Sequence, residues 1–404
     1  MKLRRLTGLL IALSAPAYAQ DAPDTAHYRL GITVSPEHET VAVDAVILTS
    51  AVAAGDELKF SIGRTFELFA AEAGPNATVT TTTKGPYRII SVKFAEAEAA
   101  PRIRVRHGGR LLPTGELPIN MITPELVELA LDSAWLPIRT DYGLRFSVDA
   151  LIDGLSPEAI VAAQGSVERE GRHVRVRRSI RDIDFAFAAA RMQRAQGDGF
   201  EIFARDLSSE RVQVLTRHAS AAIPYLQNWL GKMPGDGVRV AVVRRPRTSG
   251  YARKGYIVFT EGSRGSEAGV AKFAVHEFAH LWFSNANAQT PNRWLDESLA
   301  EYVALRYVQE KMGADALESL LAPKREAAKK AKPVFGDTKT NAELYDKGPL
   351  LLLELEEKIG RDRMGRLVAA AATRKIGLTS DFLAALADLT SAETAAEFER
   401  KLTS

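Results

Sequence analysis

Residues 276 to 280 read His-Glu-Phe-Ala-His, and no other stretch restricts the fold as tightly. An α-helix turns once per 3.6 residues, so His276 and His280, four apart, project from one face. Two neutral imidazoles so placed can hold one Zn²⁺ and leave it electrophilic, while Glu277, a step around the helix, reaches a water beside the ion. A carboxylate that is not itself a ligand is the group that takes the proton from an attacking water. The pentapeptide is short, so the surrounding sequence has to supply a helix and a third ligand.

It supplies both. Residues 269–283 contain no proline and only a leading glycine, with Ser266 and Glu267 in front as helix-starting residues. Pro291 breaks the chain, and a second helical pattern follows from Trp294, with Leu295, Leu299, Tyr302 and Val303 at helical spacing and Gly313 as a stop. Glu297 and Glu301 share the other face of that helix. Glu297 is the natural third ligand. Glu301 has two readings: a solvated surface carboxylate, or the acceptor for the free N–H of a ligand imidazole.

The run His-Glu-Phe-Ala-His-Leu-Trp-Phe-Ser-Asn at 276–285, followed by Trp-Leu-Asp-Glu-Ser-Leu-Ala-Glu-Tyr at 294–302, resembles the signature of the aminopeptidase-N family of gluzincin metallopeptidases. The resemblance implies one Zn²⁺ per chain held by His276, His280 and Glu297, with Glu277 as general base. Sixteen residues separate His280 from Glu297, two fewer than the family usually has, and the shortening falls in the turn at 287–293. The family also has a Tyr-x-Lys-Gly motif whose tyrosine stabilises the oxyanion. Here it reads Tyr345-Asp-Lys-Gly348, just before Pro349 at the head of a helix, a position proline suits.

One family element departs from its pattern. Upstream of the metal helix, relatives carry Gly-x-Met-Glu-Asn on a strand edging the cleft, and its Glu binds the free α-amine of a peptide. Counting back through the strand-like residues 255–261 puts Ser249-Gly250-Tyr251-Ala252-Arg253 there, with Ala252 in the Glu position. A methyl group cannot pair with an ammonium, and an arginine repels one. Gly250, Tyr251, Ala252 and Arg253 remain candidate substrate-binding residues, because backbone groups of a strand can hold a peptide by strand addition without a particular side chain. Arg253 is expected to favour a carboxylate on the substrate.

The rest of the chain suits an α+β architecture: an N-terminal β-sandwich-like saddle domain over residues 20–205, then a thermolysin-like, mainly helical domain over 206–404. Alternating patterns such as residues 28–34, 103–106 and 174–178, with Gly, Pro and Asn turns between them, carry the β-domain. The family's substrate-contacting glutamine has no counterpart there. The chain as read ends at Ser404, so the resemblance implies a short form without the C-terminal helical domain.

Residues 1–19 have a basic start, a short apolar centre and Ala17-Tyr18-Ala19, the pattern of a secretory signal peptide. The expectation is an exported protein, periplasmic if the host is Gram-negative. No later apolar run reaches the ~20 residues a membrane span needs. The formal charge of +3 resides in the leader, where Lys2, Arg4 and Arg5 have no acid beside them, so the remainder nets about zero. That balance argues against a nucleic-acid partner. There is no cysteine, hence no disulfide and no thiolate metal site.

Other features decline a functional role. The basic run at 324–332 is bracketed by Pro323 and Pro333 and reads as one solvated helix. The Gly-rich stretch 262–269 lacks the ending of a phosphate loop and reads as the rim before the metal helix. His27, His38, His107, His173 and His218 lack metal spacing, and Trp282, Phe283 and Trp294 read as packing behind the metal helices. Three functions stay open: a zinc peptidase acting on peptide or protein substrates, with the exopeptidase or the endopeptidase mode undecided by Ala252; a hydrolase of a non-peptide amide or epoxide using the same site; or a peptide-binding module that keeps zinc for structure. Oligomeric state is unspecified.

Overall fold

The computed structural model describes residues 25–112, 119–235, 237–246, 249–261, 265–336 and 340–404. The leader at 1–19 and part of the Gly-rich rim, residues 262–264, lie outside them.

The first half is a sandwich. A seven-stranded sheet runs in the order Ser166–Glu170, His173–Asp182, Arg145–Asp153, Thr25–Ser35, Thr40–Thr49, Arg102–Arg110, Phe66–Glu72. A four-stranded sheet, Ile138–Arg139, Glu57–Gly63, Tyr87–Phe94, Ala77–Lys84, shares its core. The alternation legible at 28–34 is why: Tyr28, Leu30, Ile32 and Val34 point inward and the residues between them outward, the period of two that a half-solvated strand imposes.

A second four-stranded sheet, Ile160–Ala163, Phe187–Ala190, Leu126–Leu129, Met121–Ile122, is covered on both faces. Val127, Leu129 and Phe187 enter the sandwich core, whereas Leu126, Ala162 and Ala188 enter a separate core with Phe203, Val243, Tyr251 and Val258. That second core joins the β-domain to a five-stranded mixed sheet, ordered Gln193–Gln196, Phe200–Ala204, Val238–Val243, Tyr256–Thr260, Gly250–Arg253. Strand Phe200–Ala204 pairs in parallel with Val238–Val243, so the sheet of the helical half takes in residues before Asp206.

The opposite face of the mixed sheet, through Ile202, Val240, Ile257 and Phe259, packs on helices. These are α1 (Glu210–Leu230), α2 (Glu267–Ala279), α3 (Trp294–Met312), α4 (Ala314–Ala328), α5 (Gly348–Ile359), α6 (Arg361–Thr373), α7 (Thr379–Leu389) and α8 (Ala392–Thr403). The molecule is therefore α+β, a β-domain followed by a helical one. Among the described residues, no helix is long and apolar enough to cross a membrane.

Helix α4 corrects one expectation. Pro323 lies inside it rather than at its head, and the helix ends at Ala328. Lys324 is buried, so the basic run is not one solvated helix.

Candidate metal centre

Helix α2 starts where the sequence places it. The Ser266 side chain accepts a hydrogen bond from the Gly269 N–H, which satisfies one of the helix's unpaired amides. Ala268, Ala271, Ala274, Val275, Phe278 and Ala279 are all buried, because α2 lies between the mixed sheet and α3. Burying the side chains of Val275 and Phe278 contributes about 1.5–3 kcal/mol each. Bonds reaching only three residues back, from Leu281 N–H to Phe278 O and from Trp282 N–H to Ala279 O, tighten the last turn.

The chain then has to return to the metal face within a short turn. Asp296 does this, its carboxylate accepting the N–H groups of Asn285 and Ala286 and so pinning the turn to the first turn of α3. Trp294, fully buried, anchors the same turn by donating from its indole to Thr379 Oγ1 at 2.9 Å. Trp282, Phe283 and Trp294 are thus packing groups.

The shortened turn brings Glu297 to the histidines. His276 Nε2 and His280 Nε2 are 3.2 Å apart, and Glu297 Oε2 lies 3.7 Å from the first and 3.5 Å from the second. Ligand atoms around a tetrahedral zinc at ~2.0–2.2 Å stand roughly 3.3–3.6 Å from one another, close to these separations, so the donor set suits that ion. Among the described residues, His276, His280 and Glu297 are the group that could hold a metal; the remaining histidines join no such group.

The remaining nitrogens are tied back. His280 Nδ1 lies 3.0 Å from the Phe283 carbonyl, and His276 Nδ1 lies 2.9 Å from Glu301 Oε2. Each Nδ1 thereby faces an acceptor, and each Nε2 is left facing inward, where it offers a lone pair once deprotonated. Glu301 is 0 % exposed, which decides between its two readings: it is the carboxylate behind His276. Burial alone would push Glu301 up, but Lys272, the His276 hydrogen bond and Lys324 outweigh it and hold the carboxylate well below its usual range. Burial likewise opposes charge on Glu297, yet the hydrogen bonds of His276 and His280 keep it strongly acidic. Without metal, burial would lower His280, but Glu297 and Glu277 raise it to about 9, so a metal ion entering this site displaces a proton.

Glu277 is buried beside this group and makes no hydrogen bond or ion pair among the described residues. Burial raises its pKa. Tyr345 sits on a π-helical turn, Ala342–Lys347, that leads into α5, and its ring lies 5.6 Å from that of His276. Burial, then the charge and hydrogen bond of Glu297, hold its hydroxyl well above the usual value, so it stays an O–H donor. Arg293 donates from Nε and Nη2 to Glu297 Oε1, at 3.3 and 3.2 Å, and also bonds Tyr345.

Gly348, the last residue of the tyrosine motif, is required by close approach to α3. A Cβ there would stand 2.1 Å from Ser298 Oγ and 2.8 Å from Ser298 Cβ. Ser298 Oγ in turn donates to Leu344 O at 2.7 Å, which locks the π turn onto α3. Gly348→Ala is expected to cost about 1–3 kcal/mol by overpacking, read as a lower urea midpoint. An unchanged midpoint would show that α3 and α5 do not meet this closely.

The edge strand Gly250–Arg253 divides by face. A Cβ on Gly250 would meet Phe273 of α2, and Ala252 packs against the helical core, so these two face the metal helix. Tyr251 and Arg253 face the other way. Tyr251 is buried in the core against the β-domain, and Arg253 Nε donates to Asp184 Oδ2 at 2.8 Å. Two of the four residues expected at the substrate are therefore interdomain groups, and the expected pull of Arg253 on a substrate carboxylate is taken up by Asp184. A strand's two faces alternate strictly, but which face meets which layer is settled only by packing.

Sequence reasoning missed Lys272, Arg293, Asp296 and Lys324. Lys272 and Arg293 carried a signal, since each stands four residues before a member of the site, His276 or Glu297, on the same helical face. Lys324 carried none.

No protein-family model matches this sequence, and no curated protein does. The fold is shared with solved structures. It superposes on the M1 zinc metallopeptidase from Deinococcus radiodurans with a TM-score of 0.75 at 17% identity, over 95% of this chain and 94% of that one. A substituted form of the Deinococcus protein bound to a Tyr-Ser-Ala substrate gives a TM-score of 0.73 at 16% identity, over 95% and 94%. Native leukotriene A4 hydrolase from Saccharomyces cerevisiae gives 0.72 at 14% identity, over 96% of this chain and 69% of that one. The architecture is thus the two-domain fold of M1 zinc metallopeptidases.

Proposed function

We propose that this protein is a zinc-dependent peptidase that cleaves peptide bonds with an activated water. The observation that carries the reading is the convergence of His276, His280 and Glu297, their back-tied imidazoles, and an unpartnered buried Glu277 beside them. A site that merely stored zinc would need neither that free carboxylate nor a tyrosine hydroxyl facing the same point.

His276, His280 and Glu297 would hold the ion. Zinc, when bound, supplies a Lewis acid that polarises the scissile carbonyl and makes water a nucleophile near neutral pH. Glu277 takes the water's proton as the new C–O bond forms and delivers it to the amide nitrogen as the C–N bond breaks. The Tyr345 hydroxyl donates to the oxyanion in between. Among the described residues the strand Gly250–Arg253 has one ladder neighbour, Tyr256–Thr260, and its other edge suits an extended peptide.

With Ala252 facing the metal helix, no carboxylate on this strand meets a free α-amine. That supports cleavage at internal or N-blocked positions over aminopeptidase action. The zinc-loaded protein is expected to cleave N-acetylated peptides at least as fast as the same peptides with free amines, and Ala252→Glu to shift preference toward free amines. Mass spectrometry of the products decides it. No cleavage of either set sinks the peptidase reading; strong preference for free amines sinks its endopeptidase form. We also read residues 1–19 as a cleaved leader, so these substrates are met after export.

A further inference from the structure

Lysine is seldom buried, yet Lys324 on α4 is 8 % exposed. Its ammonium reaches Glu301 Oε1 at 2.7 Å, the Tyr345 carbonyl at 2.7 Å and Asp346 Oδ1 at 3.4 Å. An ammonium has three N–H donors, and here they serve two different parts of the site.

Charge balance alone does not explain this. Glu301 already has Lys272 Nζ at 2.9 Å, on the same oxygen that Lys324 meets, and its other oxygen faces His276 Nδ1. What Lys324 adds is a link to the tyrosine turn. The Tyr345 carbonyl can take no α-helical bond from position 349, which is Pro349 and has no N–H. The Lys324 ammonium supplies a donor to that carbonyl.

We infer that Lys324 is a positioning residue that joins the two halves of the site: through Glu301 it orients the His276 imidazole, and through the Tyr345 carbonyl it sets where the Tyr345 hydroxyl stands. This inference rests on the zinc-peptidase reading for its turnover half and on the metal group alone for its other half. Helix α4 thereby becomes part of the site's frame.

Lys324→Met keeps the chain length and removes the charge and the donors. Zinc affinity, measured by competition with a chromogenic chelator, is expected to fall about 10–100-fold, the usual effect of losing support behind a ligand. The visible spectrum of the cobalt-substituted protein is expected to shift, because the His276 ring is no longer held. On an N-acetylated peptide, kcat is expected to fall while KM stays within about twofold, and the loss is expected to be small when the substitution is made on Tyr345→Phe, since both act through one hydroxyl.

Unchanged zinc affinity and cobalt spectrum overturn the metal half. A kcat loss that multiplies in full with that of Tyr345→Phe overturns the tyrosine half. If Lys324→Met does not fold, Lys324→Gln keeps a donor for the carbonyl without the charge, and is expected to weaken metal while sparing most of kcat; equal loss of both overturns the division of roles. Metal affinity and spectrum are read without substrate, so a wild-type protein that hydrolyses nothing refutes the peptidase reading and leaves the metal half to be judged on them.

Discussion

Glu277→Gln is expected to lower kcat on a peptide by about 10²–10⁴-fold while the protein still binds one zinc per chain. The glutamine has the same shape but cannot accept a proton from water. Glu277 stands outside the group of three that would bind metal, so that group is left whole. Its carboxylate is buried and makes no hydrogen bond or ion pair among the described residues, so its removal strands no partner and should leave thermal stability close to wild type. Burial raises its pKa, which moves a carboxylate toward the range where a general base works near neutral pH. Zinc content by atomic absorption and steady-state turnover check the prediction together. Turnover within tenfold of wild type would remove Glu277 from the chemistry; loss of zinc would make it a ligand or a structural group.

Tyr345→Phe should lower kcat by about 10²–10³-fold with little change in KM, because the hydroxyl donates to charge that develops only in the transition state. The phenylalanine ring keeps the packing against the helical core and against His276. The hydroxyl's other contacts are Glu297 and Arg293, which bond each other directly. Zinc affinity is therefore expected to change much less than turnover. A raised KM at unchanged kcat would instead assign Tyr345 to ground-state binding. Comparable losses in zinc affinity and turnover would mean that the hydroxyl mainly holds Glu297.

Much of this site was legible in the residues. The start of α2 at Ser266 and Glu267, the stop of α3 at Gly313 and the shared face of His276 and His280 follow from local rules that hold in any context. The turn between the helices could be read as short. That it still delivers Glu297 depends on Asp296, whose role as a clamp for the Asn285 and Ala286 amides required both ends of the turn in one place.

The misreadings share one cause. Residues 324–332 carry five lysines and arginines, and composition alone describes a solvated face. Lys324 departs from it because α4 packs beside α3 and the π turn, where Glu301 and the Tyr345 carbonyl need a cation. The place of Arg253 on an edge strand predicts a substrate contact, but the β-domain approaches from the opposite face and brings Asp184.

By itself the sequence determined that His276 and His280 share one face of a helix, because helical spacing is local and holds wherever such a helix is placed. The tertiary structure decided what stands behind those groups. Whether Glu301 meets water or His276, which face of the edge strand meets the metal helix, and which lysine holds the Tyr345 turn are settled by contacts between segments tens of residues apart. Those depend on how sheets and helices stack, and no spacing within one segment encodes that.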